Sequence, residues 1–205
     1  MASIISASTT SGTALNMSAD TTGVLQFATG ATPTTALTID TSQNVTIAGT
    51  LTATGKVTSS SMPTGSVLQV VQTNYSTATS TTSGSFTDSG LSASITPSSA
   101  TNKILVLVNQ QIRSNKSGAN DTGYGFRLVR DATAIFSRDD SATAAYYLGT
   151  LNADIRFPNN ITYLDSPSTT SSVTYKTQMN SFNTSTVAAQ FSSVPSTITL
   201  MEIKA

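Results

Sequence analysis

The stretch ALTIDTSQNVTIAGTLTATGKV, residues 36–57, decides what kind of chain this is. Its apolar residues Leu37, Ile39, Val45, Ile47, Leu51 and Val57 all fall on odd positions, which is the period of two of a half-buried β-strand. Asp40-Thr-Ser-Gln-Asn44 separates the first two pairs with short polar side chains of the kind that bond back to their own backbone in turns. The spacing predicts very short strands joined by tight turns. A hairpin of such strands has too little apolar surface to persist alone in water, so the stretch requires cover from elsewhere.

Around it an apolar-x-apolar unit recurs at Leu15/Met17, Leu25/Phe27, Leu37/Ile39, Val45/Ile47 and, more weakly, Leu51/Ala53. The intervals of roughly 8 to 12 residues have the rhythm of short strands and turns. Residues 1–66 hold only three charges, Asp20, Asp40 and Lys56, and one aromatic, Phe27. As a lone chain this arm is nearly coreless, and its composition alone matches disorder. An ordered arm has to share a core with other chains, and identical chains wound about a threefold axis are the simplest source. Leu37, Ile39, Val45 and Ile47 are therefore expected to meet their symmetry mates as the core of a homotrimer.

Residues 58–65, TSSSMPTG, read as a neck. Beyond them lie all the remaining aromatics and a series of stronger strand candidates: 67–76, 84–88 with 91–95, 103–112, 124–130, 133–138, 145–151, 153–157, 161–164, 173–182, 188–191 and 197–204. About ten short strands with no convincing helical pattern point to an antiparallel β-sandwich of jelly-roll type. The run KILVLV at 103–108 reads as a central strand buried on both faces. The expected organisation is all-β, with an attachment and shaft region over 1–66 and a head over 67–205. A final strand at 197–204 leaves no room for a cleaved C-terminal chaperone.

Composition removes several function classes. Ser and Thr make up about a third of the 205 residues, which disfavours helix. Charged residues are 10% and balance to a net charge of zero, so no field draws in nucleic acid or an anionic membrane. With no Cys and no His there is no disulfide framework, no thiolate metal site and no histidine general base. The N-terminus has no signal-peptide pattern, and no apolar run is long enough for a spanning helix. A soluble protein without membrane insertion, made in the cytoplasm and needing no cofactor, is expected.

Among candidate site residues, Asp139 and Asp140 could offer oxygen ligands to calcium, helped by Asp121 or Asp154, but the EF-hand spacing and glycine are missing and a solvated hairpin end is the plainer reading. The ten acids form no identifiable catalytic pair, so the chain is not expected to be an enzyme. Arg113, Arg127, Arg130 and Arg138 could grip an acidic glycan, although pairing with Asp131, Asp139 and Asp140 is the commoner fate. Tyr124, Tyr146, Tyr147 and Tyr163 could stack on sugar rings or pack internally. Because Tyr146 and Tyr147 are adjacent in a strand, one should face outward. Tyr146, Tyr147, Arg113 and Arg138 are the candidate surface contacts. Gly123-Tyr-Gly125 does not continue into a phosphate loop.

Three passages resemble phage virion fibre proteins, especially those of marine and cyanobacterial phages. LTIDTSQNVTIAGTL at 37–51 is similar to the strand-turn-strand repeats of tail-fibre shafts. FRLVRDATAI at 126–135 resembles a hairpin of trimeric jelly-roll fibre heads, and STITLMEI at 196–203 resembles their closing strand. Such heads are similar in topology to the C1q and tumour-necrosis-factor family. The resemblance implies a homotrimeric fibre of the virion whose N-terminal region joins other tail or capsid proteins. Its head would contact a host-surface glycan or protein. A capsid fibre or decoration protein, or a depolymerase on the same scaffold, are the alternatives.

Overall fold

The computed structural model describes residues 22–29, 32, 34–50, 62–118, 121–138, 145–147 and 152–205, with 29 and 145–147 as backbone alone. The chain divides into two compact units, Met1–Val57 and Thr58–Ala205. The positions Leu15, Met17, Leu51, Ala53 and Val57 of the repeat lie outside the described residues, as do Asp139 and Asp140.

In the first unit, β1 (Leu25–Thr29), β2 (Thr34–Ile39) and β3 (Val45–Ile47) form a three-stranded antiparallel sheet in the order β1-β2-β3. The period of two is realised in its register. Leu25 pairs with Ile39 and Ile39 with Val45; Phe27 pairs with Leu37 and Leu37 with Ile47. Directly opposed residues share a face, so six apolar side chains form two rows on one side. The β2–β3 turn is built by Asp40. One carboxylate oxygen accepts from the Ser42 and Asn44 backbone N–H groups at 2.8 and 2.9 Å, and the other accepts from the Asn44 amide at 3.0 Å. Gln43 takes the left-handed conformation, φ 65°, that closes a three-residue hairpin loop.

The second unit holds β4 (Val67–Tyr75), β5 (Thr79–Thr81), β6 (Thr87–Ile95), β7 (Lys103–Lys116), β8 (Thr122–Arg130), β9 (Thr133–Arg138), β10 (Ala145–Tyr147), β11 (Ala153–Asp165), β12 (Val173–Phe182), β13 (Thr186–Ala189) and β14 (Ser196–Ile203). One sheet runs β10-β8-β12-β6 with β9 also on β8; the other runs β4-β14-β7-β13-β5 with β11 on the free edge of β7. The pairs nest: β4 with β14, β6 with β12, β7 with β11, β8 with β9. They alternate between the two sheets, which is the rolled-up double strand of a jelly roll. All pairings are antiparallel, as the short Gly- and Ser-punctuated strands predicted.

The core lies between the sheets. Leu91, Ile95, Phe126, Leu128, Tyr175 and Met179 from one meet Ile104, Val106, Ile112, Ile161, Ile198 and Leu200 from the other. Each fully buried side chain of this kind contributes about 1.5–3 kcal/mol. No described apolar residue of the first unit is buried, so the stability of a single chain resides in the head.

Several expectations change. The 103–108 run is central, but only Ile104, Val106 and Val108 are fully buried; Leu105 and Leu107 point to the outer face and stay half exposed. Burial on both faces fails because no further layer of this chain covers that side among the described residues. The candidates at 153–157 and 161–164 are one 13-residue strand, β11. Pro158 pairs with Gln111 inside it, which is tolerated because β11 is an edge strand. The short β5 has no apolar alternation to mark it. Finally, part of the neck is tied to the head: the Gly65 N–H donates to the Lys204 carbonyl at 2.8 Å and the Lys204 N–H to the Ser66 carbonyl at 2.9 Å.

Candidate functional site

The outer face of the six-stranded sheet changes character along its strands. Leu164, Leu105, Met201 and Val70 oppose one another across β11, β7, β14 and β4. This apolar row is open to solvent, with Leu164 50% and Val70 55% exposed. Beyond the Thr162–Leu107–Thr199 row, Asn160, Asn109 and Thr197 form a polar cross-strand row. At the far end Arg156 of β11 lies directly opposite Arg113 of β7.

Between these arginines sits Asp154. Arg113 Nε and Nη2 donate to its two oxygens at 2.8 and 3.1 Å, and Arg156 Nη2 donates at 3.0 Å with a longer contact from Nε at 3.4 Å. The Arg113 guanidinium also lies 4.1 Å from the Phe191 ring centroid, and that of Arg156 5.0 Å, within cation–π range. Bonds from Arg113 first, then Arg156, hold the Asp154 carboxyl down to about 2. Phe191 is presented by a single 3-10 turn, Phe191–Ser193. Gln190, Ser192 and Ser193 around it have φ of 51°, 57° and 58°, a cluster of left-handed non-glycine residues that costs backbone energy. Asp154, which was to help hold calcium, is committed to these two arginines.

The other candidates separate. Arg138 is on β9 in the opposite sheet from Arg113, its guanidinium 6.0 Å from the Phe136 ring, so the two do not form one site. Tyr146 and Tyr147 lie in β10, in register with Gly123 and Thr122 of β8. Tyr124 is fully buried, its hydroxyl accepting from Asn159 Nδ2 at 2.9 Å, and burial raises its pKa. Tyr163 packs its ring 6.2 Å from Phe136. Both are packing residues.

Arg130 pairs with Asp165 at 2.8 Å rather than with its neighbour Asp131; Asp131 instead accepts from the Thr174 N–H at 2.9 Å. Tyr175 donates to the same Asp165 at 2.7 Å, and its own pKa is raised by burial and by that carboxylate. Arg127 stacks 4.1 Å from Phe86 and donates to Gln178 at 2.8 Å. Gly125 is where Asn180 approaches: its N–H donates to Asn180 Oδ1 at 2.7 Å, and a Cβ there would meet that oxygen at 2.5 Å. A packing contact thus accounts for the glycine.

Arg156 and Phe191 were not anticipated. Strand alternation carried the signal for Arg156, since residues 154 and 156 share the parity of the outward Leu164. Phe191 had none, because its position depends on the turn at 190–193. Among the described residues there is no cluster of acids able to hold a metal ion, and no helix is long and apolar enough to cross a membrane.

No protein-family model matches the chain, and no curated protein matches it. Among solved structures, the Gx strain of infectious bursal disease virus aligns at 15% identity and TM-score 0.37, over 90% of this chain and 47% of that one. The VP2 protein of the same virus, in derived T=1 particles, aligns at 14% identity and TM-score 0.35, over 97% of this chain and 49% of that one. The chain spans about half the length of the proteins it matches.

Proposed function

We propose that this chain is a structural virion protein, the subunit of a homotrimeric phage tail fibre that attaches the particle to its host without catalysing a reaction. The carrying observation is the apolar face of the β1-β2-β3 sheet. Leu25, Phe27, Leu37, Ile39, Val45 and Ile47 share it, and Val45 is 57% exposed. A sheet that is apolar on one face must bury that face against another element. Copies of the same sheet packed about an axis give it a core, with Leu37, Ile39, Val45 and Ile47 at the centre. The open row Leu164–Leu105–Met201–Val70 supports the same reading for the head, since exposed apolar rows of this kind mark association surfaces. The virion setting rests on the resemblance of residues 37–51, 126–135 and 196–203 to fibre shafts and heads. Attachment would come from avidity, three weak identical heads acting together.

The native mass tests this. Sedimentation of the purified full chain is expected to give three copies, and Ile47→Asp to shift the population towards single chains. A monomeric wild-type chain would remove the shared-core reading. Labelled protein that adheres to none of a panel of bacterial strains would remove the attachment role.

A further inference from the structure

Arginines directly opposed across two strands repel each other and weaken the sheet. The fold places Arg113 and Arg156 in that relation and supplies one carboxylate, Asp154, for both. The other ion pairs among the described residues are one to one, Arg130 with Asp165 and Lys176 with Asp88. One positive charge is therefore in surplus here, in a chain where only 10% of residues are charged. Arg113 and Arg156 use Nε and Nη2 on Asp154, and among the described residues neither Nη1 has a partner. The side chains are partly open, 22% exposed for Arg113 and 49% for Arg156. The strained turn at 190–193 presents Phe191 to both guanidiniums. Like-charge opposition and left-handed strain both lower stability, and their coincidence marks a site kept for something other than folding.

Its surroundings define the ligand. A guanidinium fork matches a carboxylate, and Asp154 shows that these two can converge on one. The same sheet face continues into Asn109, Asn160, Gln111 and Thr197, amides and hydroxyls suited to sugar hydroxyl groups. Arg113 lies ten residues along β7 from Lys103, about 34 Å of extended strand. That places the pair at the opposite end of the head from the apolar row and the start of β4. We propose that Arg113 and Arg156 form a binding site for the carboxylate of an acidic sugar, with Asp154 orienting the guanidiniums and the amide row holding neighbouring sugar hydroxyls. This rests on the adhesive reading above and names the class of glycan the head would contact.

The test is titration calorimetry of the full chain with oligouronates, with neutral dextran and with dextran sulfate, on wild type, Arg156→Gln and Arg127→Gln. Wild type should bind the oligouronate in preference to both other polymers. Arg156→Gln should weaken binding about tenfold or more, the loss of a charged hydrogen-bonding partner, with unchanged native mass and a melting temperature no lower than that of wild type. Arg127→Gln, on the other sheet, should bind as wild type. No uronate binding, equal binding by Arg156→Gln, or equal binding of dextran sulfate would overturn the site. If the chain still adheres to cells in that case, attachment stands and only the site falls. Uronate binding through Arg156 by a chain that adheres to no strain supports the site and removes the adhesive reading.

Discussion

Glu202 is fully buried on β14, with the inward parity of Ile198 and Leu200, yet among the described residues no cation pairs with it. Neutral donors do the work of one. Asn102 Nδ2, the Ser98 N–H and the Ser98 hydroxyl reach Oε1 at 2.6, 2.7 and 2.8 Å, and Gln69 Nε2 reaches Oε2 at 2.6 Å. Burial pushes the carboxyl up, and the bonds from Asn102, Gln69 and Ser98 outweigh it, leaving the group below the ordinary carboxylate range. A carboxyl with a lowered folded pKa contributes its full stabilisation above the unfolded value, about 4.3, and loses it as pH falls through the folded value. Head stability should therefore decline below about pH 4, and Glu202→Gln should flatten that decline in acid melting curves. Glu202→Ala takes away the acceptor shared by the buried Asn102 amide and the part-buried Ser98 and Gln69 donors and should cost about 2 kcal/mol, read as a lowered midpoint in urea. Only the parity of 198, 200 and 202 hinted at this cluster in the sequence. The donors come from 69, 98 and 102, distant positions that the roll-up alone brings together.

At the scale of elements, the β2–β3 hairpin and β7 show what local pattern can and cannot specify. The hairpin was legible because its information is local: odd-position apolar residues and an Asp40–Asn44 turn that closes on itself. The exposed Asp40 carboxyl is lowered by the Asn44 side chain first and then by backbone N–H groups, so Asp40→Ala should speed amide exchange at Ser42 and Asn44. Gln43→Gly should slow it, because glycine occupies the left-handed region without the penalty a side chain carries, about 1–2 kcal/mol. In β7 the polar Gln110 continues the inward parity of Ile104, Val106 and Val108. It bonds Ser89 of β6 at 3.0 Å and accepts from Thr177 of β12 at 2.7 Å. A polar bridge thus joins the two sheets inside an apolar core, where its donors and acceptors must be matched. Alternation could show that Gln110 points inward; its partners follow from sheet packing, which no single strand encodes.

For the whole molecule, the fold class and most strands of the head could be read from periodicity and turn residues, whereas the pairing of Arg113 with Arg156 could not. That pairing depends on β7 and β11 running side by side over their full lengths, a register set by the sandwich. The division at Val57/Thr58 has an energetic counterpart, since among the described residues the fully buried apolar ones all lie in the second unit. Ile47→Asp should therefore abolish assembly through the arm while the head keeps its thermal transition within a few degrees, measured by calorimetry. Simultaneous loss of both would mean that the two units depend on each other to fold. One detail of β11 bears on how copies of this chain coexist at high concentration. An exposed strand edge invites another chain to add on by backbone pairing. Pro158 lies midway along β11 and has no N–H to give. Its ring interrupts the outer row of donors, so the longest edge strand among the described residues of the head is a poor template, and crowded copies are kept from fusing sheet to sheet into aggregates.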